Sequence, residues 1–431
     1  MVICPVIFGR LILGYNRAQF IPILSARFTA AMYTEKVLLL ENIHSDAAQV
    51  FEAKGYQVES LAKSLPEPAL RAALREVTAL GVRSKTQLSA EIIQSAPRLA
   101  VIGAFCIGTD KVDLPACTDA GIAVFNAPYS NTRSVAELAL GHMLALLRFI
   151  PDRNNEMHHG IWKKSAAGSM ELRGKTLGII GYGNIGAQLS VLAESLGMNV
   201  IFFDTAEKLS LGNAVRMDSL AEVLRAADIV SVHVSGNAQN VGLIGAAQFE
   251  LMKPDAIFIN LSRGFVVDID ALAAHLRAGR LKGVAVDVFP EEPDSGETFQ
   301  SPLQGLSNTI LTPHIAGSTQ EAQKAISGFV SNKMLNYLAA GDTRLSVNFP
   351  SADLPYQPNS HRILHIHQNI AGVIAGVSRV LAAHDINITG ETLRTTSTLG
   401  VALFDVSGLV TTEIVRALSG VPGTIRAKIL Y

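Results

Sequence analysis

Nine residues constrain this chain more than any others: Gly178-Ile-Ile-Gly-Tyr-Gly-Asn-Ile-Gly186. Within them Gly181, Gly183 and Gly186 have the spacing G-x-G-x-x-G. The run Lys175–Ile180 ahead of them reads as a short buried strand. The stretch behind them carries Ile185, Leu189, Leu192, Ala193 and Leu196 at helical spacing and stops at Gly197, a helix terminator. A second apolar run, Val200–Phe203, ends at Asp204, 18 residues past the last glycine. A glycine triplet alone marks only a turn. Strand, turn, helix, strand and acid together specify a βαβ unit that binds a dinucleotide: Gly181 for the tight turn, Gly183 for close approach of the pyrophosphate, Gly186 for close helix–strand packing. The helix N-terminus offers unpaired N–H groups to the phosphates. Asp204 is expected to accept hydrogen bonds from the adenosine ribose and to repel a 2′-phosphate, which selects NAD over NADP.

With 431 residues the chain has room for two or three domains, each with its own core. A formal net charge of -1, without basic or acidic blocks, gives no footprint for nucleic acid. The three cysteines, Cys4, Cys106 and Cys117, include no CxxC, so neither a disulfide framework nor a zinc site is expected, and no metal is. A reducing cytoplasm is the expected location. Residues 1–33 differ from the rest. They hold Arg10, Arg17 and Arg27 but no acid, and Pro5, Arg10, Arg17 and Pro22 interrupt every apolar stretch short of the eighteen or so residues a membrane span needs. They read as an N-terminal extension, either a transit leader or a stretch upstream of a true start at Met32.

From Lys36 onward short apolar runs alternate with helical stretches: Val37–Leu40, Ala79–Val82, Leu99–Ile102 and Ile122–Phe125, then the glycine-loop unit, then Ile229–Val234, Ala256–Leu261, Gly283–Phe289 and Thr309–Leu311. This alternation gives an α/β protein with two doubly wound, Rossmann- or flavodoxin-like parallel sheets. Residues 34–130 and 315–340 are expected to form a substrate-binding domain and residues 131–314 the NAD domain. Residues 341–361, with Pro350, Pro355 and Pro358, read as a linker. Residues 362–431 run strand, helix, two strands, helix, strand, a ferredoxin-like βαββαβ module. Cutting near Pro355 should therefore separate catalysis from that module.

Catalytic candidates sit at strand ends beside the glycine loop, where open α/β sheets bind ligands. Moving a hydride from an alcohol to NAD needs a base for the hydroxyl proton, a cation for the substrate carboxylate, and a group that tunes the base. Arg263, Glu292 and His314 follow three successive strands and supply those types. A carboxylate on one imidazole nitrogen fixes the tautomer and raises the pKa, and an arginine fork matches a 2-hydroxy carboxylate. His233, also at a strand end, reads as packing near the cofactor and not as a base.

These stretches carry a resemblance. Ala127-Pro-Tyr-Ser-Asn-Thr-Arg-Ser-Val-Ala-Glu, the glycine loop, Leu261-Ser-Arg-Gly, Asp287-Val-Phe-Pro-Glu-Glu-Pro, Leu311-Thr-Pro-His-Ile-Ala-Gly-Ser-Thr and Pro422-Gly-Thr-Ile-Arg-Ala are similar to the D-2-hydroxyacid dehydrogenases, in the 3-phosphoglycerate-oxidising form with a C-terminal ACT regulatory domain. The resemblance spans nearly all of the chain after residue 33. It implies 3-phosphoglycerate as substrate, the opening step of L-serine synthesis, and L-serine as effector. It implies a homo-oligomer, a tetramer joined through nucleotide-domain and ACT contacts, with neither a membrane nor a nucleic-acid partner. By the same resemblance Arg263 binds the substrate carboxylate, Glu292 pairs with the histidine, and His314 is the acid/base. Gly181, Gly183, Asn184, Ile185, Gly186, Asp204, Leu261, Ser262, Arg263, Asp287, His314, Ile315, Ala316 and Gly317 would contact NAD, with Asp287 accepting from the nicotinamide carboxamide.

Arg83, Ser84, Lys85 and Asn131 are expected on the substrate side, and His367, Asn369 and Asn387 at the serine site. Lys163 and Lys164, beside Trp162, read equally as cleft charges from a neighbouring subunit or as surface lysines. Two departures stand out: Val234-Ser-Gly-Asn lacks a proline common in relatives, and Ile370-Ala371 replaces Arg-Pro in the turn before Gly372. Two other functions stay open, a D-2-hydroxyacid dehydrogenase for glyoxylate, lactate or 2-oxoglutarate, and a non-enzymatic NAD-sensing scaffold of the co-repressor type.

Overall fold

Apolar runs without helical period become the buried central strands of three sheets that follow one another along the chain. The computed structural model describes residues 35–293 and 296–431; the N-terminal extension lies outside the described residues. The first sheet comprises β1 (Lys36–Leu39), β2 (Gln57–Ser60), β3 (Val77–Val82), β4 (Val101–Ala104) and β5 (Ala123–Phe125), all parallel, in the order β2-β1-β3-β4-β5. The second contains β6 (Thr176–Ile180), β7 (Asn199–Phe203), β8 (Val215–Arg216), β9 (Ile229–Val232), β10 (Ala256–Asn260), β11 (Leu281–Val286) and β12 (Thr309–Leu311). Its order is β12-β11-β10-β9-β6-β7-β8, a doubly wound parallel sheet that reverses between β6 and β9. Helix Thr132–Leu147 leads from the first sheet to the second, and helix Gln320–Ala340 leads back. Ile326, Val330 and Met334 of that returning helix share a core with Val37, Ala79 and Phe125.

Two strands were not visible in the sequence pattern. β2, Gln-Val-Glu-Ser, is an edge strand with little buried surface, and β8 is only two residues long. Neither has a run of apolar side chains to announce it.

The third sheet holds β13 (His361–Gln368), β14 (Asn387–Thr395), β15 (Leu399–Ser407) and β16 (Thr424–Ile429), antiparallel, in the order β14-β15-β13-β16. Helices Val373–Ala383 and Thr412–Ser419 complete the βαββαβ order. Strand alternation sends its side chains two ways. Ile363, Ala402, Phe404 and Val406 pack with Val377, Leu381 and Leu418 of the module's own helices. Leu364, Ile366, Val401 and Leu403 join the core of the first sheet, with Phe125, Leu335 and Tyr337.

The proline-bearing segment 341–361 is packed down. Thr343, Phe349 and Ala352 are buried, and Asn348 accepts from Val124 N and donates to Ile122 O, covering the open edge of β5. At its end the fully buried Arg362 forks onto Asp405 with two bonds of 2.7 Å and donates to the carbonyls of Leu354 and Pro355.

Candidate active site

The glycine loop has the geometry its sequence demanded. Gly181 has φ +89°, and a Cβ there would lie 2.7 Å from His233 O, across the point where the strand order reverses. A Cβ on Gly186 would lie 2.4 Å from Gly181 O, so helix and loop fit only without a side chain. A Cβ on Gly183 would meet no protein atom within 4 Å, which leaves open space at the N-terminus of helix Asn184–Ser195, where a pyrophosphate would rest. Asp204 is half-buried at the end of β7, and its Oδ2 accepts from Tyr182 N at 2.9 Å. The glycine turn and the acid that would read the ribose are thereby fixed to one another. Asn184 donates weakly to Pro128 O at 3.4 Å. His233 is bonded through Nε2 to Ser231 Oγ at 2.8 Å, and burial pushes its pKa down to about 4.

Three turns at neighbouring strand ends bring the catalytic candidates together. Nδ1 of His314 donates to Oε2 of Glu292 at 2.8 Å, and Oε1 of Glu292 accepts from Phe289 N at 3.1 Å, so the carboxylate is held from both sides. That hydrogen bond is the largest influence on the imidazole and, against the pull of burial, raises its pKa above the ordinary histidine value. Burial alone would push the Glu292 carboxyl up, but the hydrogen bond and charge of His314 outweigh it, and it ends below its ordinary value. His314 has φ +54°, in the left-handed region, and its N–H bonds to Asp287 O at 2.8 Å.

Asp287 is the anchor of this turn. It is completely buried; Oδ1 accepts from Thr312 Oγ1 and Ile315 N, and Oδ2 from Ala316 N. Gly317 closes the turn against Asn131, whose Nδ2 would lie 2.2 Å from a Cβ at that glycine. The substrate-side candidate Asn131 therefore stands beside the His314 turn. Its Oδ1 is buried with no partner among the described residues.

Arg263 lies at the end of β10. Gly264 brings its turn against the Phe289–Pro290 backbone, where a Cβ would be 1.9 Å from Phe289 C. Leu261 and Ser262 are buried, with the serine hydroxyl on Asn260 Oδ1 at 2.8 Å. The arginine's Nη1 donates to Ser262 O at 2.9 Å, and its Nε faces Asp110 Oδ2 of the first sheet unit at 3.4 Å. Gly236, in the Val234-Ser-Gly-Asn loop, admits this pair: a Cβ there would stand 3.0 Å from Arg263 Nε and 3.1 Å from Asp110 Oδ1. Cys106 Sγ lies 3.3 Å from Arg83 O and 3.1 Å from Gly108 O, and a Cβ on Gly108 would stand 2.5 Å from Arg263 Nη2; burial is the main influence on the thiol and pushes its pKa up to about 12.

Two residues escaped the sequence analysis. Asp110 follows no apolar run and carries no motif. Glu41 ends the first apolar run and is buried, accepting from the backbone of Lys85 and Thr86. An acid directly after a buried strand was the only available signal.

The effector candidates are not brought together within one chain. His367 pairs with Gly400 and Asn387 with Ser407, seven residues apart on β15, which is about 24 Å at strand spacing. Asn369 lies next to the His367 end and donates to Thr396 O at 2.8 Å. Gly372 has φ +92°, so the turn survives Ile370-Ala371. Among the described residues no three His, Cys, Asp or Glu side chains are grouped to hold a metal, and no single helix is long and apolar enough to cross a membrane.

A parallel doubly wound nucleotide sheet with an Arg–Glu–His set at its strand ends defines a class. The family described as D-isomer specific 2-hydroxyacid dehydrogenase, NAD binding domain, matches residues 140–316. The D-3-phosphoglycerate dehydrogenase of Haemophilus influenzae is 47% identical over 398 residues, covering 92% of this chain and 97% of that one. The enzyme of the same name from Escherichia coli is 46% identical over 400 residues, with the same coverage. Among solved structures, D-lactate dehydrogenase from Aquifex aeolicus complexed with NAD and lactic acid superposes with a TM-score of 0.64 at 26% identity, over 73% of this chain and 100% of that one. The chain belongs to the D-2-hydroxyacid dehydrogenase family.

Proposed function

We propose that this chain is an NAD-dependent dehydrogenase that oxidises 3-phosphoglycerate to 3-phosphohydroxypyruvate in the cytoplasm. The observation that carries the reading is the His314–Glu292 hydrogen bond beside Arg263 at adjacent strand ends. NAD fits the open space over Gly183, the helix N-terminus behind it and the acid at Asp204. When bound, NAD supplies the acceptor for the hydride. The protein's own groups do the rest. Glu292 holds Nδ1 of His314, leaving Nε2 to take the hydroxyl proton, and the raised pKa lets the imidazole return that proton in the reverse direction. Arg263 grips the carboxylate. Arg83, Ser84 and Lys85, on the loop after β3, receive the phosphate, and Asn131 faces the substrate from beside the His314 turn. Nearly full-length similarity to two D-3-phosphoglycerate dehydrogenases supports that substrate over other 2-hydroxy acids.

The C-terminal sheet, in this reading, is an ACT regulatory domain. The opposite placement of His367 with Asn369 and of Asn387 supports a serine site built between two copies, each giving one end of its sheet. A homo-oligomer follows, and the homotetramer is the form proposed.

Purified protein incubated with NAD and 3-phosphoglycerate should produce NADH, followed by its absorbance, and serine should slow it. Faster turnover of lactate, glyoxylate or 2-oxoglutarate would replace the substrate. NAD binding without turnover of any of them would make the chain a sensing scaffold.

A further inference from the structure

The loop that carries Arg83 is held by a carboxylate that no chemistry described above uses. Glu41 is 6% exposed, follows β1, and has φ +65°, a left-handed conformation that a non-glycine residue adopts only when its surroundings enforce it. Its Oε2 accepts from Lys85 N at 2.9 Å, and its Oε1 accepts from Thr86 N at 2.8 Å and Thr86 Oγ1 at 2.6 Å. Such charge-assisted bonds are among the strong ones available to a backbone N–H. A second tie comes from Cys106, whose Sγ lies 3.3 Å from Arg83 O and 3.1 Å from Gly108 O. The main chain from Arg83 to Thr86 is thus fixed on both sides, while the half-buried Arg83 guanidinium has no hydrogen-bond or ion-pair partner among the described residues.

A buried negative charge next to a site for an anion works against binding unless it gives more than it takes. The three donors on Glu41 take the place of water around its carboxylate, and the return is a fixed origin for the arginine. We propose that Glu41 is a positioning residue: it presents Arg83 to the substrate phosphate and thereby sets the preference for a phosphorylated over an unphosphorylated 2-hydroxy acid. This rests on the assignment of Arg83 to the phosphate made above. Glu41 touches no reacting atom and acts only through the loop.

The test compares kcat/KM for 3-phosphoglycerate and for D-glycerate in the full-length protein, Glu41→Gln and Thr86→Val. Glu41→Gln should lower kcat/KM for 3-phosphoglycerate by roughly ten- to a hundredfold, the scale expected when a binding group is misplaced by about an ångström, chiefly through KM. The value for D-glycerate should stay nearly constant, so the preference collapses. Thr86→Val removes one of the three bonds and should shift the preference the same way by a smaller factor. An equal loss on both substrates would make Glu41 merely structural and overturn the proposal. If Glu41→Gln fails to bind NAD, and so to fold, the same criterion applied to Thr86→Val decides. A wild-type protein with no preference for the phosphorylated substrate overturns the phosphate assignment, and the positioning role with it. A wild-type preference that survives intact in both variants overturns the positioning role alone.

Discussion

The catalytic candidates and the effector candidates of the C-terminal sheet are both sets of polar residues at strand ends, yet they are built in opposite ways. Arg263, Glu292 and His314 come from neighbouring parallel strands whose carboxyl ends converge, so one chain assembles them, and Asp287 and Gly264 lock the turns together. His367 lies near the carboxyl end of β13 and Asn387 at the amino end of β14; both strands are antiparallel to β15 between them and so run in the same sense, which puts the two residues at opposite ends of the sheet. Groups drawn from carboxyl ends alone meet within one chain; groups drawn from one carboxyl end and one amino end stay apart.

The harshest way to break that comparison is to remove the C-terminal sheet. Every catalytic candidate precedes Pro355, so the sequence suggested that a cut there would free an active dehydrogenase. Leu364, Ile366, Leu399, Val401 and Leu403, however, pack in the core of the first sheet. Losing five such side chains at about 1.5–3 kcal/mol each is comparable to the whole stability of a typical domain, even as an upper estimate. The truncated chain is expected to melt far below the full-length protein or to aggregate, as read by thermal denaturation. A truncated chain that melts at the full-length temperature would show that the two regions are independent.

Next in size is His314→Ala. It should lower kcat by about a hundredfold or more while NAD still binds, measured by steady-state kinetics and a binding titration. Near-normal turnover would remove His314 from the mechanism.

Glu292→Gln should act more gently and sharpen the point that the pair is assembled in one chain. Oxidation needs the neutral imidazole, so kcat/KM rises with pH through the pKa of His314, which Glu292 raises. Without that carboxylate the imidazole loses its proton at lower pH, and the acid limb of the pH–rate profile should move to lower pH, with kcat down by roughly tenfold. An unmoved limb would mean that Glu292 does not tune the base.

The smallest expected effect is the one aimed at the split site. Asn369→Ala and Asn387→Ala should each abolish serine inhibition when the variant assembles alone. Mixed assemblies of the two should regain part of it, because each mixed seam holds one site with both asparagines intact. Inhibition curves of the mixtures decide. No recovery would mean that the two asparagines do not share a site across a seam between copies.

Much of this was legible before any coordinates. The glycine loop, Asp204, the three catalytic candidates at successive strand ends and the element order of the last module follow from short-range patterns, because apolar period and turn chemistry are local. The illegible part depends on what the chain brings together from afar. Glu41 reaches Thr86 across 45 residues, and Asp110 meets Arg263 from another sheet, and neither contact leaves a trace in spacing. Asp287 was expected to accept from the nicotinamide, and its type and place at a strand end gave no sign that Ile315, Ala316 and Thr312 already hold its oxygens. β2 and β8 stayed hidden because edge strands need little apolar sequence.

The packed segment 341–361 has a bearing on how this protein can be engineered. A proline-bearing stretch between two modules looks like the natural place to insert a tag, a protease site or a flexible spacer. Here Asn348 closes the edge of a strand and Arg362 draws two of the segment's carbonyls onto a buried carboxylate, so it works as a strut with a set length. Added residues would not lengthen a tether; they would throw Asn348 and Arg362 out of step and expose an unpaired strand edge at one end and a buried charge at the other.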